Sequence, residues 1–254
     1  MGVVSVITSV HAPAAHHLAD AYRSLRAQVL PTGWDWQWVI QEDGESAAVA
    51  GAVPDDPRVS FGQGRRGGAG VTRTLSLARA EGAYVKVLDA DDMLTPGTLA
   101  RDIEVLERNA DIGWTTCRVL DLLPDGSLVG FDRDPPDGPL QPGAVLRHWR
   151  AHNYRAPVVP GTLCARRELV LAAGGWMALP ASEDTGLLIA LDAVSRGWFT
   201  AEVGLHYRKW QGQSTQLPAH TLPVEWDARM AVIEARARAL AATGWRYGPG
   251  GSAP

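Results

Sequence analysis

Cysteine is scarce in this 254-residue chain: Cys117 and Cys164 are the only two. They lie far apart and in none of the paired spacings of a structural zinc site, so a disulfide framework or a cysteine-held metal is not expected, and both read as reduced core thiols. Long apolar runs are missing as well. The N-terminal run Val3 to Val10 is too short to span a bilayer and carries no basic lead-in or cleavage pattern. A cytoplasmic protein with no integral membrane segment is therefore expected. Charge of one sign is absent too: 24 Lys and Arg against 28 Asp and Glu leave a formal charge of −4. That balance gives no basic footprint for nucleic acid. There is no GxxxxGK[ST] phosphate loop and no internal repeat. What is present is ample apolar content, 46%, enough for one large α/β domain or two small ones. The ten tryptophans offer faces that suit sugars as well as cores.

The most informative stretch is Asp89-Ala90-Asp91-Asp92. It follows the apolar run Val85-Lys86-Val87-Leu88, read as a buried strand, and precedes Thr95-Pro96, read as a helix start. Three carboxylates thus fall where a strand ends, the edge at which open α/β sheets bind ligands. Like charges so close call for a cation or a dense set of donors, and hard oxygen ligands suit magnesium or manganese shared with phosphate oxygens. Taken alone, the motif is as readily a solvated acidic turn.

The first half alternates strand and helix signals. Val3 to Thr8 reads as a strand, Leu18 to Val29 as a helix, Trp36 to Ile40 as a strand and Val59 to Phe61 as a weak one. Helical spacing returns over Val71 to Ala78 and from Thr95 to Asn109, and Ile112 to Cys117 closes the series as a strand. This order predicts a mainly parallel sheet with helices on both faces. Beyond it, Pro124 to Ser127 reads as a hairpin turn, the proline-rich Phe131 to Gly143 as a loop or lid, and Glu168 to Ala173 and Asp184 to Val194 as helices. Pro223 to Thr243 reads as a last helix stopped by Gly244, followed by a disordered tail from Pro249.

Other constellations also fall at strand ends. Glu42-Asp43-Gly44 closes the second strand beside Thr8 of the first. Gly67 to Gly70 leads into Arg73, and a glycine-rich turn, a helix start and an arginine together suit a diphosphate. Glu183-Asp184 opens a helix, where the dipole favours a carboxylate. Gly62 to Gly67 also fits GxGxxG, but a dinucleotide fingerprint belongs between the first strand and first helix, and that junction is Thr8-Ser9-Val10-His11. An NAD-dependent oxidoreductase is accordingly disfavoured.

Taken in order, Val4 to Ser9, Leu25 to Gln28, Glu42-Asp43-Gly44, Gly67 to Arg73, Leu88 to Asp92, Gly174-Gly175-Trp176, Glu183-Asp184 and Tyr207-Arg208 resemble the motifs of family 2 glycosyltransferases. The resemblance covers Val3 to Ser214. It implies a GT-A-type α/β fold, a mainly parallel Rossmann-like sheet flanked by helices with a smaller acceptor-side region. Residues 1–117 would form the nucleotide-sugar-binding half, 118–217 the acceptor-binding and catalytic half, and 218–254 a C-terminal helix and flexible tail. It further implies inverting, hexosyltransferase-type transfer from a UDP- or dTDP-sugar to a sugar or small-molecule acceptor. Asp184 would be the general base and Glu183 its orienting neighbour. Thr8, Asp43, Arg73, Asp89 and Asp91 would bind the donor, and Asp91 and Asp92 a magnesium or manganese ion. Trp176, Trp149 and Tyr154, with His148, His152 and Arg155, are candidate acceptor contacts. Two positions depart from the pattern. Val10 and His11 stand where relatives carry an aromatic residue and asparagine, and Trp210 stands where many carry a metal-binding histidine, with His206 as a possible substitute. The reading from another class is a catalytically silent nucleotide-sugar-binding module.

Overall fold

The computed structural model describes residues 1–132, 134–216, 220 and 225–248. The apolar runs of the first half fold into β1 (Gly2–Val10), β2 (Trp34–Glu42), β3 (Val59–Gly62) and β4 (Tyr84–Val87), all parallel, with α1 (Leu18–Arg26), α2 (Ala47–Ala52) and α3 (Ala69–Ser76) between them. Next come β5 (Met93–Leu94), α4 (Thr98–Arg108), β6 (Ile112–Leu122), β7 (Leu128–Val129), β8 (Gly138–Leu140), α5 (Ala144–Ala151), β9 (Cys164–Arg166), α6 (Arg167–Ala172), α7 (Glu183–Val194), β10 (Arg196–Arg208) and α8 (Trp226–Ala242). The sheet runs in the order β3-β2-β1-β4-β9-β6-β10-β5, with β7 on β6 and β8 on β10. Antiparallel β9 is slotted between β4 and β6, while β6 and β10 are parallel.

Alternation along β1 divides the core between the two faces. Val4, Val6 and Val10 pack with Trp36, Trp38, Leu18, Leu25, Leu99 and Ile103 on one side. Ile7 packs with Val39, Val85, Val87, Leu187, Leu188 and Ile233 on the other. This is the period-two signature of a strand buried on both faces. One charged pair lies inside: the fully buried Lys86 Nζ donates to Asp102 Oδ2 at 2.7 Å and to the Thr162 carbonyl at 2.7 Å, and Thr115 Oγ1 donates to Asp102 Oδ1 at 2.6 Å. Burial works against the Lys86 charge, but Asp102 more than offsets it and pushes the lysine up to about 12.

Several local expectations need correcting. The stretch Phe131 to Gly143 is not all loop, because Gly138–Leu140 pairs with Phe199–Gly197 as β8. Helix α4 starts at Thr98 after Gly97 rather than at Thr95, and Thr95 instead donates its hydroxyl to the Val203 carbonyl at 2.5 Å. The last helix is described from Trp226, so Pro223, Val224 and the tail from Pro249 lie outside the described residues. Helix α8 buries Met230, Ile233 and Ala237, and Gly244 follows at φ +74° as a left-handed stop. The GxGxxG segment begins at the end of edge strand β3, and Gly64 bridges to Gly44, so no dinucleotide turn is built there. No described helix is long and apolar enough to cross a membrane.

Candidate active site

The carboxyl ends of β1, β2 and β4 open into a cavity of about 680 Å³. Each strand delivers polar side chains to its wall: Ser9 and His11 at the end of β1, Glu42 and Asp43 at the end of β2, Asp89 and Asp91 after β4. Arg73, Glu183 and Asp184 also line it, as do Phe131, Tyr207 and Lys209.

Arg73 sits at the centre. Its guanidinium donates to Glu183 Oε1 at 2.6 Å and to Asp89 Oδ1 at 2.5 Å, and its side chain is only 6% exposed. Burial opposes the charge, yet Asp89, Glu183 and Asp184 together hold the arginine above its ordinary range. Residues distant in sequence thus become one charged cluster joining the strand-end motif to the start of α7. Close approach of α3 to that region depends on Gly70, where a Cβ would lie 2.2 Å from the Met177 carbonyl oxygen. Just before Glu183, Ser182 adopts a left-handed φ of +65°, a conformation that costs a non-glycine residue about 1 kcal/mol or more.

Asp184 faces the cavity while its Oδ1 accepts from the Thr185 backbone N–H at 2.6 Å. Burial and the neighbouring Glu183 charge raise its pKa to about 6, and Arg73 pulls against them. A carboxylate poised there is basic enough to take a proton and still ionised at neutral pH.

The other expected residues divide. Asp43 lines the cavity, but its Oδ1 accepts from the N–H groups of Gly67 at 2.7 Å and Gly68 at 3.0 Å. The turn expected to face a diphosphate therefore gives two of its donors to Asp43, which acts as a remote cap on α3. Thr8 does not line the cavity. It is fully buried, donating to the Leu88 carbonyl at 2.6 Å and accepting from Trp38 Nε1 at 2.8 Å, so it braces strand ends instead of holding a nucleoside. Asp92 is likewise off the cavity. It is buried, with Oδ1 accepting from the Arg208 backbone N–H at 2.9 Å and Oδ2 without a partner. Burial and the Asp91 and Asp89 charges push it well above the usual carboxylate range. Asp91 does face the cavity, and its Oδ2 accepts from Trp210 Nε1 at 2.6 Å. Burial raises Asp91, while the Trp210 hydrogen bond and nearby His11 draw it down.

The acceptor contacts named from sequence are not in the cavity. Trp149 and Trp176 are core residues, and Tyr154 packs edge-on against Trp149 with centroids 4.7 Å apart. His148, His152 and Arg155 lie elsewhere too, and His206 is absent from the wall. Phe131 and Tyr207 are the aromatic side chains on the wall among the described residues. Sequence reasoning missed both, and also Trp210 as a partner of Asp91. Trp210 is brought there by β10, whose Arg208 donates to the Asp91 carbonyl at 2.8 Å and to Asp20 Oδ2 at 2.7 Å. His16 and His17 pack edge-on against its indole.

Among the described residues no cluster of three or more His, Cys, Asp or Glu side chains has the geometry of a metal site. The wall nevertheless carries eight carboxylates, from Glu42, Asp43, Glu45, Asp89, Asp91, Asp121, Glu183 and Asp184, against the cations of Arg66, Arg73 and Lys209. Arg73 is spent on Asp89 and Glu183, and Lys209 pairs with Asp121 at 3.2 Å. A polyanion entering this cavity meets more carboxylates than cations. The donor set, with the Asp91 carboxylate on the wall, fits a divalent cation whose remaining ligands come from the entering molecule.

Comparison with known proteins follows the same lines. The profile described as "Glycosyl transferase family 2" matches residues 5–122, the segment that holds β1 to β6 and the acidic motif. The "Uncharacterized glycosyltransferase MJ1057" of Methanocaldococcus jannaschii is 28% identical over 116 residues, 43% of this chain and 39% of that protein. Among solved structures, S. aureus TarS 1-349 in complex with UDP-GlcNAc superposes with a TM-score of 0.71 at 15% identity, covering 93% of this chain and 66% of that one. A second structure, S. aureus TarS 1-349, gives a TM-score of 0.70 at 15% identity over 93% of this chain and 65% of that one. The chain thus spans about two fifths of the archaeal relative and just under two thirds of the TarS fragment. With the acidic strand-end motif, the curled mainly parallel sheet and these matches together, residues 5–122 resemble glycosyltransferase family 2 and the chain has the GT-A fold.

Proposed function

We propose that this protein is an inverting glycosyltransferase that moves a hexosyl group from a UDP- or dTDP-sugar to a hydroxyl of a sugar or small-molecule acceptor. The observation that carries the reading is a single cavity lined by Asp89, Asp91 and Asp184, the last with a pKa of about 6. Inverting transfer is one in-line displacement. The acceptor oxygen forms a bond to the anomeric carbon as the bond from that carbon to the diphosphate breaks. The acceptor proton goes to Asp184, and the electron pair leaves with the diphosphate.

Glu183 holds Arg73, and Arg73 holds Asp89, so the base and the donor motif share one rigid brace. Asp43, its Oδ1 fixed by the glycine turn, presents its carboxylate to the base-binding end. A magnesium or manganese ion held by Asp91 and the donor diphosphate would neutralise charge on the leaving group. The TarS complex with UDP-GlcNAc supports a nucleotide-sugar donor by fold likeness.

Thermal denaturation with ligands tests the reading, since a ligand that binds the native state raises the melting temperature by mass action. UDP or dTDP should raise it and NAD should not. A shift with NAD and none with any nucleoside diphosphate would refute the assignment. Release of free nucleoside diphosphate with glycosylated product then separates a transferase from a silent binding module.

A further inference from the structure

The proposed diphosphate enters a wall rich in carboxylates, yet in the strand-end motif part of them is already claimed. Trp210 Nε1 takes Asp91 Oδ2 at 2.6 Å and Arg73 takes Asp89 Oδ1 at 2.5 Å, while Asp92 lies off the cavity. A cation held there needs a further ligand from the protein or must rely on water and the nucleotide alone. His206 is not that ligand, because it sits in β10 opposite Met93 and Leu120 and does not reach the wall.

His11 does reach it. Strands β1 and β4 are adjacent and parallel, with Ile7 opposite Val87 and the Leu88 N–H donating to the Ile7 carbonyl at 3.1 Å. Strand β1 runs on to Val10 while β4 ends at Val87, so His11 and Asp91 both stand just beyond the sheet, and both line the cavity. The His11 carbonyl accepts from the Ala14 N–H at 2.9 Å, which fixes the backbone. Its side chain does not cap the helical turn that follows, so the ring is not spent on that turn.

Resting on the nucleotide-sugar reading, we propose that His11 supplies a nitrogen ligand to a divalent cation that it shares with Asp91 and the donor diphosphate. Trp210 assists as a positioning residue: by holding one carboxylate oxygen of Asp91 it leaves the other for the ion. A nitrogen ligand favours manganese-type ions over magnesium, which keeps to oxygen and water.

The experiment is pulsed electron paramagnetic resonance on the full chain with manganese(II) and UDP, with UDP binding followed separately by calorimetry. The expected result is a nitrogen coupling to manganese that changes when the protein carries ¹⁵N-histidine. The coupling is lost in His11→Ala and kept in His206→Gln. Manganese affinity of the UDP-loaded His11→Ala protein should fall by at least the ~10–100-fold that loss of an outer-shell partner costs. If His11→Ala fails to fold, His11→Gln takes its place, and the labelled wild type still reports on histidine ligation. A ternary complex with no nitrogen coupling, or one whose coupling survives loss of His11, overturns the inference and leaves the nucleotide-sugar reading standing. Failure of UDP to bind at all removes that reading and this inference with it.

Discussion

Replacing Arg73 with methionine probes the brace between Glu183 and Asp89. The guanidinium holds the buried Glu183 at 2.6 Å and the partly exposed Asp89 at 2.5 Å. Taking away the cation leaves the buried Glu183 carboxylate uncompensated, a change that typically costs ~3–5 kcal/mol of stability. The more diagnostic effect is on Asp184, which burial and Glu183 raise to about 6 and Arg73 holds down. A unit charge roughly 6 Å away in an effective dielectric of about 20 contributes roughly 3 kcal/mol, about two pK units. The base must be ionised to accept a proton, so wild-type kcat should fall as pH drops through about 6. Without Arg73 that acid limb moves upward by ~1–2 units. At pH 7 only about a tenth of the base would then be ionised in the larger case, and kcat would recover toward pH 9. Arg73→Lys keeps a charge but not the two-armed grip, so its limb should lie between the two. The assay is a pH profile of kcat at saturating donor and acceptor on protein shown to be folded by circular dichroism. An acid limb unmoved in a folded Arg73→Met protein refutes the electrostatic role given to this residue.

Two further outcomes follow from the same structure. Asp184→Asn should lower turnover by ~10²–10⁴-fold while UDP still binds by calorimetry. Because the folded pKa of Asp184 is about 6, above the ordinary 3.8, its stability contribution is full below pH ~4 and is lost as pH rises through ~6. The asparagine variant should therefore be more stable at pH 7, by ~1–2 kcal/mol once partial exposure is allowed for, as read by urea titration at pH 4 and pH 7. Lys86→Met leaves Asp102 buried without its cation and should cost ~3–5 kcal/mol in urea denaturation, whereas Lys86→Met with Asp102→Leu should recover most of the loss. Equal stability of the wild type and Lys86→Met would show that the core pair is not needed.

Local pattern determined much of this protein. The apolar runs that became β1, β2, β4 and the first half of β6 were legible because a strand buried on both faces must be apolar along its length. The helices α1, α3, α4, α6 and α7 were legible from 3.6-residue spacing. Asp43, Asp89 and Asp91 were read at strand ends and Asp184 at a helix start, and all four line one cavity. Thr8 was misplaced, although alternation along β1 sets it on the same face as Val4 and Val6, under the sheet edge. Trp149 and Trp176 were offered as sugar contacts but are buried in the core, since a large apolar ring stabilises the fold most when removed from water.

What the tertiary structure decided is pairing across long stretches of chain. Strand β9 is three residues long, and Ala165 becomes a strand residue only because Val85 and Trp114 stand on either side of it. Strand β10 brings Trp210 to Asp91 across 119 residues of sequence, and Arg73 meets Glu183 across 110. No local periodicity marks such contacts, because side-chain partners are selected by the geometry of packed elements and not by spacing along the chain. The residue types at the site were thus present in the sequence, but which carboxylates stayed open to a ligand was settled only when folding gave the others to Arg73, Trp210 and the backbone.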